Sequence, residues 1–148
     1  MNTLVKNKKG YFEYHILEKF VCGMVLHGSE VKSIRLGKAS IGEAYCYVKN
    51  NEVFVKNMHI SEYSQSNKYD SHEPLRERKL LLKKKEIIKL AEKVSQKGLT
   101  IIPLAILLTD TGYLKLEIAL AKGKHLYDKR EAIKSRDLDL ELKRTKIQ

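Results

Sequence analysis

The sequence predicts a mainly β chain with flanking helices, built on an OB-like β-barrel. Apolar stretches that read as strands outnumber those that read as helices. Residues 43–57 carry a period-two hairpin signal, with Tyr45, Tyr47, Val53 and Val55 on either side of Asn50-Asn51. One long helical pattern lies between two groups of strands, an arrangement suited to a small closed or half-closed barrel, with the OB type as first choice.

In order, residues 11–20 and 21–27 are rich in aromatic and β-branched types and read as two strands. Ser29 offers an N-cap to a short helix over residues 30–36, and Gly37 offers its end. The hairpin follows, then a polar loop over residues 61–73, long enough to serve a function. Pro74 suits the start of a helix and Gly98 its end, and between them Leu80, Ile87, Ala91 and Val94 recur on one face. Residues 99–108 and 113–121 read as two further strands about a turn at 110–112. Residues 1–121 are thus expected to form the barrel unit, and residues 122–148 a separate basic tail.

That tail carries nine basic and five acidic side chains, and Leu126, Ile133, Leu140 and Ile147 recur every seven residues. The stripe is narrower than a core-packed helix shows. A helix of about 40 Å formed from it would gain too little burial to offset its ordering entropy. The pattern suits a segment disordered until a partner orders it, with a helix packed on its own barrel as the alternative.

Composition narrows the function. Of 148 residues, 29 are Lys or Arg and 18 Asp or Glu, a net charge of +11. The excess points to a polyanion, nucleic acid ahead of an anionic membrane; the bland reading is lysines that only confer solubility. The longest apolar run, LTIIPLAILL, is too short to span a bilayer, and the polar N-terminus has no secretory signal. Cys22 and Cys46 give neither a disulfide framework nor metal spacing, which suits a reduced, cytoplasmic protein.

Enzyme signatures are missing. No phosphate-cradling glycine motif occurs, no G-x-S-x-G frames a serine, and the five histidines show no metal-ligand spacing. The histidines read as surface or RNA-facing side chains. No catalytic residue, metal or cofactor is expected. Residues 76–97 carry nine basic and three acidic side chains, a charged helix suited to phosphates; a merely solvated face is its alternative. Tyr45, Tyr47, His59, Tyr63 and Tyr69 could stack on unpaired bases, although for any single tyrosine packing in the barrel is the first reading.

Five blocks then make the reading specific: GSEVKSIRLGKASI (28–41), VKNMHISEY (55–63), EPLRERKLLLKKKEI (73–87), KGLTIIPLAILL (97–108) and ALAKGKHLYDKREAIKSRD (119–137). In this order they resemble the bacterial SsrA-binding protein family, also called small protein B. The resemblance implies an OB-like barrel that binds the tRNA-like domain of transfer-messenger RNA, taking the place of its missing anticodon arm. It implies delivery with elongation factor Tu and GTP, after charging of the RNA by alanyl-tRNA synthetase, to stalled ribosomes. There the tail enters the empty mRNA channel against the small subunit and its RNA, and the nascent chain is tagged. A monomer with no membrane partner is expected.

Carried over position by position, the RNA-binding set is Glu30, Lys32, Arg35, Lys38, Tyr45, His59, Tyr63, Arg76, Arg78, Lys79 and Lys83. Glu30, an acid on an RNA face, is expected to hold neighbouring basic or backbone groups in place. Lys32, Arg35 and Lys38 are expected to contact phosphates. The decoding-centre and tail set is Gly123, Lys124, Tyr127, Asp128, Lys129, Arg130, Ile133, Lys134 and Arg136, with Tyr127 stacking on ribosomal RNA. Ser29, Glu73, Lys83, Leu107 and His125 depart from residues common in the family, and the sequence beyond Asp137 matches it poorly. Two other classes compete: a barrel bound constitutively to ribosomal RNA, which would not need the tail, and an RNA-processing enzyme, which would need a general base that the sequence lacks.

Overall fold

The structure is a computed structural model, described for residues 1–63, 72–96 and 98–124. The elements run β1 (Asn2–Lys6), α1 (Lys8–Glu13), β2 (Tyr14–Met24), α2 (Gly28–Arg35), β3 (Ala39–Ser40), β4 (Tyr45–Lys49), β5 (Glu52–Lys56), β6 (His59–Ile60), β7 (Arg78–Leu81), α3 (Lys84–Val94), β8 (Leu99–Leu108) and β9 (Leu114–Gly123).

The hairpin forms as the sequence requires. Tyr45 pairs with Lys56 and Lys49 with Glu52, and Asn50 and Asn51 take φ of 52° and 61°. Two left-handed residues give the turn whose twist matches its strands, and Asn tolerates them better than most side chains. Antiparallel pairing then runs β8–β4–β5–β7–β2–β9 and returns to β8. The expected barrel is present, and six strands close this ring where an OB barrel has five. One edge of β8 is shared: Ile101 pairs with Cys46 of β4, and residues 105–108 pair with β1.

Strand β8 is buried along nearly its whole length because it is covered on both sides. Ile101 and Ile106 face the main core with Val53, Val55, Leu80, Leu116 and Ile118. Ile102 and Leu104 face outward with Ala119 and Ala121, beneath Tyr11 of α1. That double cover explains the continuous apolar run LTIIPLAILL. Pro103, lacking an N–H, sits where the β8–β9 register shifts. Helix α1 approaches β8 closely: a Cβ on Gly10 would lie 2.8 Å from Asn7 Nδ2 and 3.1 Å from Ile102 Cδ1. Asn7 caps α1, its Oδ1 accepting from Gly10 N–H at 2.8 Å while Nδ2 donates to the Pro103 carbonyl. On α3, Leu90 is fully buried and packs into the main core, flanked by Ile87 and Val94.

Three expectations need correction. Residues 11–27 are not two strands: residues 8–13 turn as α1, and β2 is one eleven-residue strand, bulged between Ile16 and Glu18. The helix read over 74–98 is a strand, β7, followed by a shorter helix, α3. Ser29 is not the N-cap of α2. His27 holds that position, with its backbone N–H donating to Glu30 Oε1 at 2.8 Å. Gly37 does end the helix, at φ 74°. Among the described residues, no helix is long and apolar enough to cross a membrane.

Candidate nucleic-acid interface

The densest polar cluster lies where α2 meets the segment entering β7. Glu30 in the first turn of α2 is fully buried, and so is Arg78 at the head of β7. Glu30 Oε2 accepts from Arg78 Nε at 2.5 Å, and Oε1 accepts from Arg76 Nη2 at 2.6 Å. With the His27 N–H, the carboxylate accepts three hydrogen bonds. Arg78 also donates to the carbonyls of Met58 at 2.5 Å and Pro74 at 3.1 Å. A buried charge is tolerable only when paired and bonded in this way. Burial pushes the Glu30 carboxyl upward, but the Arg76 hydrogen bond, the His27 N–H and the Arg78 charge outweigh it and hold it below its ordinary value.

This geometry gives Glu30 the holding role expected of it, and it revises Arg78. A side chain with no exposed surface and four acceptors around it cannot reach a phosphate, so Arg78 ties α2, β7 and the Met58 turn together. Arg76 is 28% exposed at its side chain, so it can face both the cluster and solvent. It also donates to the Val25 carbonyl at 3.2 Å.

The cations on α2 and just after it point outward. Lys32 is exposed, its ammonium 5.3 Å from the centroid of the Tyr63 ring, a cation–π contact that holds both at the surface. Arg35 is exposed and donates to the Gly112 carbonyl at 2.9 Å. Lys38 is exposed, and its carbonyl accepts from the Ser61 N–H at 3.0 Å, joining α2's exit to the strand pair β3–β6. His59 is exposed on β6 opposite Ser40. Lys32, Arg35, Lys38, His59, Tyr63 and Arg76 therefore belong to the surface built around α2 and β6.

Others stand apart. Lys79 faces out of β7 and pairs with Glu52 at 3.0 Å. Lys83 is exposed before α3, its N–H donating to Glu86 Oε1 at 3.0 Å. Tyr45 is 39% exposed on β4, and Tyr47 is stacked on Phe54 with centroids 5.6 Å apart, the packing alternative for that ring. Gly123 ends β9 opposite Tyr14, and the Lys124 N–H donates to the Glu13 carbonyl at 2.9 Å, so both are fastened to the barrel. Tyr69, Tyr127, Asp128, Lys129, Arg130, Ile133, Lys134 and Arg136 lie outside the described residues, as do Leu126, Leu140 and Ile147.

His72, read from sequence as a surface or RNA-facing side chain, is buried. Its Nε2 bonds the Ile60 carbonyl at 2.9 Å, which fixes the proton there, and its Nδ1 meets Ser29 Oγ at 2.8 Å. A lone His–Ser pair separated by 43 positions leaves no local signal in a sequence.

A family model described as SmpB protein matches residues 4–148. The chain belongs to the SmpB family. An SsrA-binding protein of Cytophaga hutchinsonii is 54% identical over 146 residues, covering 99% of this chain and 95% of that protein. One from Wolbachia pipientis wMel is 51% identical, covering 97% of this chain and 96% of its own length. Among solved structures, a chain from "tmRNA-SmpB: a journey to the center of the bacterial ribosome" superposes with a TM-score of 0.69 at 37% identity, covering 87% of this chain and 93% of that one. For this SmpB-family chain, then, the Glu30 cluster lies on the scaffold of an RNA-binding family.

Proposed function

We propose that this chain is the RNA-binding adaptor of trans-translation. It binds the tRNA-like domain of transfer-messenger RNA and helps bring it to the A site of stalled ribosomes, so that the nascent chain is tagged and the ribosome released. The observation that carries the reading is the Glu30 cluster. It fixes α2 so that Lys32 and Arg35 project from one rigid helix, with Lys38 just past its end and the partly exposed Arg76 beside them. Cations held at fixed spacing bind a folded phosphate backbone at a smaller entropic cost than loose ones.

The barrel, residues 1–121, serves as the RNA-holding unit and residues 122–148 act on the ribosome, with Tyr127 to Arg130 at the decoding centre and Ile133, Lys134 and Arg136 in the mRNA channel. The chain works without catalysis, as a monomer in the cytoplasm. Elongation factor Tu with GTP and alanyl-tRNA synthetase meet it through the RNA.

A paired experiment tests the division of labour: RNA affinity by filter binding, and tag addition in a reconstituted stalled-ribosome reaction. Deleting residues 131–148 should leave RNA affinity within about twofold of the parent and abolish tagging. Equal loss of both would merge the tail with the RNA face, and surviving tagging would remove its ribosomal role.

A further inference from the structure

Beside α2 lies a cleft of about 370 Å³, and of its lining residues Arg35 alone has been given a task above. Its floor is apolar, formed by Met24, Leu26, Val31 and Leu114. Arg35 forms one side and Tyr113 another. Tyr113 is 69% exposed, the most exposed aromatic ring among the large hydrophobic side chains of the described residues. Exposure of that degree usually buries a ring nowhere, yet the turn beneath it is built firmly. The Tyr113 N–H donates to Thr109 Oγ1 at 2.9 Å, its carbonyl accepts from the Thr109 N–H at 2.8 Å, and Gly112 sits at φ 91° with its carbonyl bound by Arg35. Arg35 thereby ties α2 to the turn that carries the ring, and it lines the same cleft.

We propose that this cleft receives a single unpaired nucleobase of the bound RNA, stacked on the Tyr113 ring above the apolar floor with Arg35 at its edge. The proposal rests on the RNA-adaptor reading. Charge decides the class of occupant: the only formal charge among the lining residues is the positive one of Arg35, and the protein carries +11 overall. A flat aromatic group attached to an anionic backbone fits a site with one π-face, one fixed cation and an apolar floor. A single base is the matching size, since the cleft is at the small end of the range for ligand sites.

Stacking and phosphate contact leave different signatures, and the test uses both. The parent, Tyr113→Ala and Tyr113→Phe would be titrated with two probes at several salt concentrations: a transcript of the tRNA-like domain, which has unpaired loops, and a blunt, fully paired RNA duplex. Stacked bases contribute enough that Tyr113→Ala should bind the transcript roughly tenfold more weakly. Its slope of log affinity against log salt should not change, because no phosphate contact is lost. Tyr113→Phe should stay within about twofold of the parent, and neither variant should alter duplex binding. Circular dichroism and thermal unfolding check that both variants fold, as the ring's exposure leads us to expect. Transcript binding by Tyr113→Ala at parental affinity would overturn the proposal, as would equal losses on transcript and duplex. Unchanged RNA binding with lost tagging would give the cleft to a ribosomal partner and overturn it too. If the adaptor reading itself were wrong, the parent would not prefer the transcript to the duplex, a failure visible before any variant is compared.

Discussion

Removing the Glu30 carboxylate should destabilise the protein far more than a surface charge change would. In Glu30→Ala, Arg78 keeps its charge with no exposed surface, and its Nε loses an acceptor at 2.5 Å. Arg76 can turn toward water, because a quarter or so of its side chain is already exposed. The loss therefore rests on Arg78, and breaking a buried pair on one side costs about 3–5 kcal/mol. Urea unfolding followed by far-ultraviolet circular dichroism measures it directly. With a slope of about 2 kcal/mol per molar urea, the midpoint should fall by roughly 2 M at unchanged slope. Arg78→Met in the Glu30→Ala background should recover part of the loss, since no buried charge is left without a partner. A loss below about 1 kcal/mol for Glu30→Ala would refute the reasoning, because Arg78 would then have found water or another acceptor.

Acid should act through the same carboxylate. Its folded pKa lies below the ordinary 4.5, so its contribution is fully present above pH 4.5 and is lost as pH falls through the lower folded value; a pH series of unfolding midpoints should show this decline in the parent and less of it in Glu30→Gln. Burial pushes the Cys22 thiol up to about 12 and the Cys46 thiol well above its ordinary value. Neither should react with iodoacetamide at pH 8 until denaturant is added, and rapid native labelling would contradict the burial. Lys32→Ala should lower the salt slope of RNA binding by about one while leaving stability within about 0.5 kcal/mol, whereas Arg78→Ala should lose stability before any slope change can be read. Gly37→Ala should cost about 1 kcal/mol, measured by thermal unfolding, because φ of 74° crowds any Cβ.

The parts of the fold that were legible in the sequence are those governed by local rules. The Asn50-Asn51 turn, the alternation on its two strands and the stop at Gly37 need only nearest neighbours to be read. Strand β8 was legible because both its faces are covered, which leaves a continuous apolar run interrupted by Pro103, as a strand buried on both faces shows. The helix expected over 74–98 failed for a definite reason. Leu80 falls in helical phase with Ile87 and Val94, but it is also the inward residue of an alternating RKLL strand whose other inward residue is Arg78. An arginine pointing inward reads as an outward one unless its buried acid is known, and that acid stands 48 positions earlier. The split of residues 8–24 into α1 and β2 likewise hangs on Asn7 bonding to Pro103, a contact between chain positions nearly a hundred apart. Of the proposed RNA face, sequence supplied the candidates Lys32 and Arg35 on α2 and the expectation that Glu30 holds its neighbours. The identity of the groups Glu30 holds, and the burial of His72 against Ser29, came from tertiary structure.

The central claim is that this basic barrel selects one RNA and does not merely attract phosphates. Incubating the purified chain with total bacterial RNA in about 0.15 M salt and sequencing what remains bound tests it directly. At that ionic strength exposed charges more than about 8 Å apart are largely screened, so indiscriminate binding is weakened relative to a fitted interface. The account predicts that transfer-messenger RNA dominates the bound fraction, far above its share of the input, and that Lys32→Ala with Arg35→Ala removes the enrichment. A bound pool that mirrors the input, or one dominated by ribosomal RNA, would contradict it.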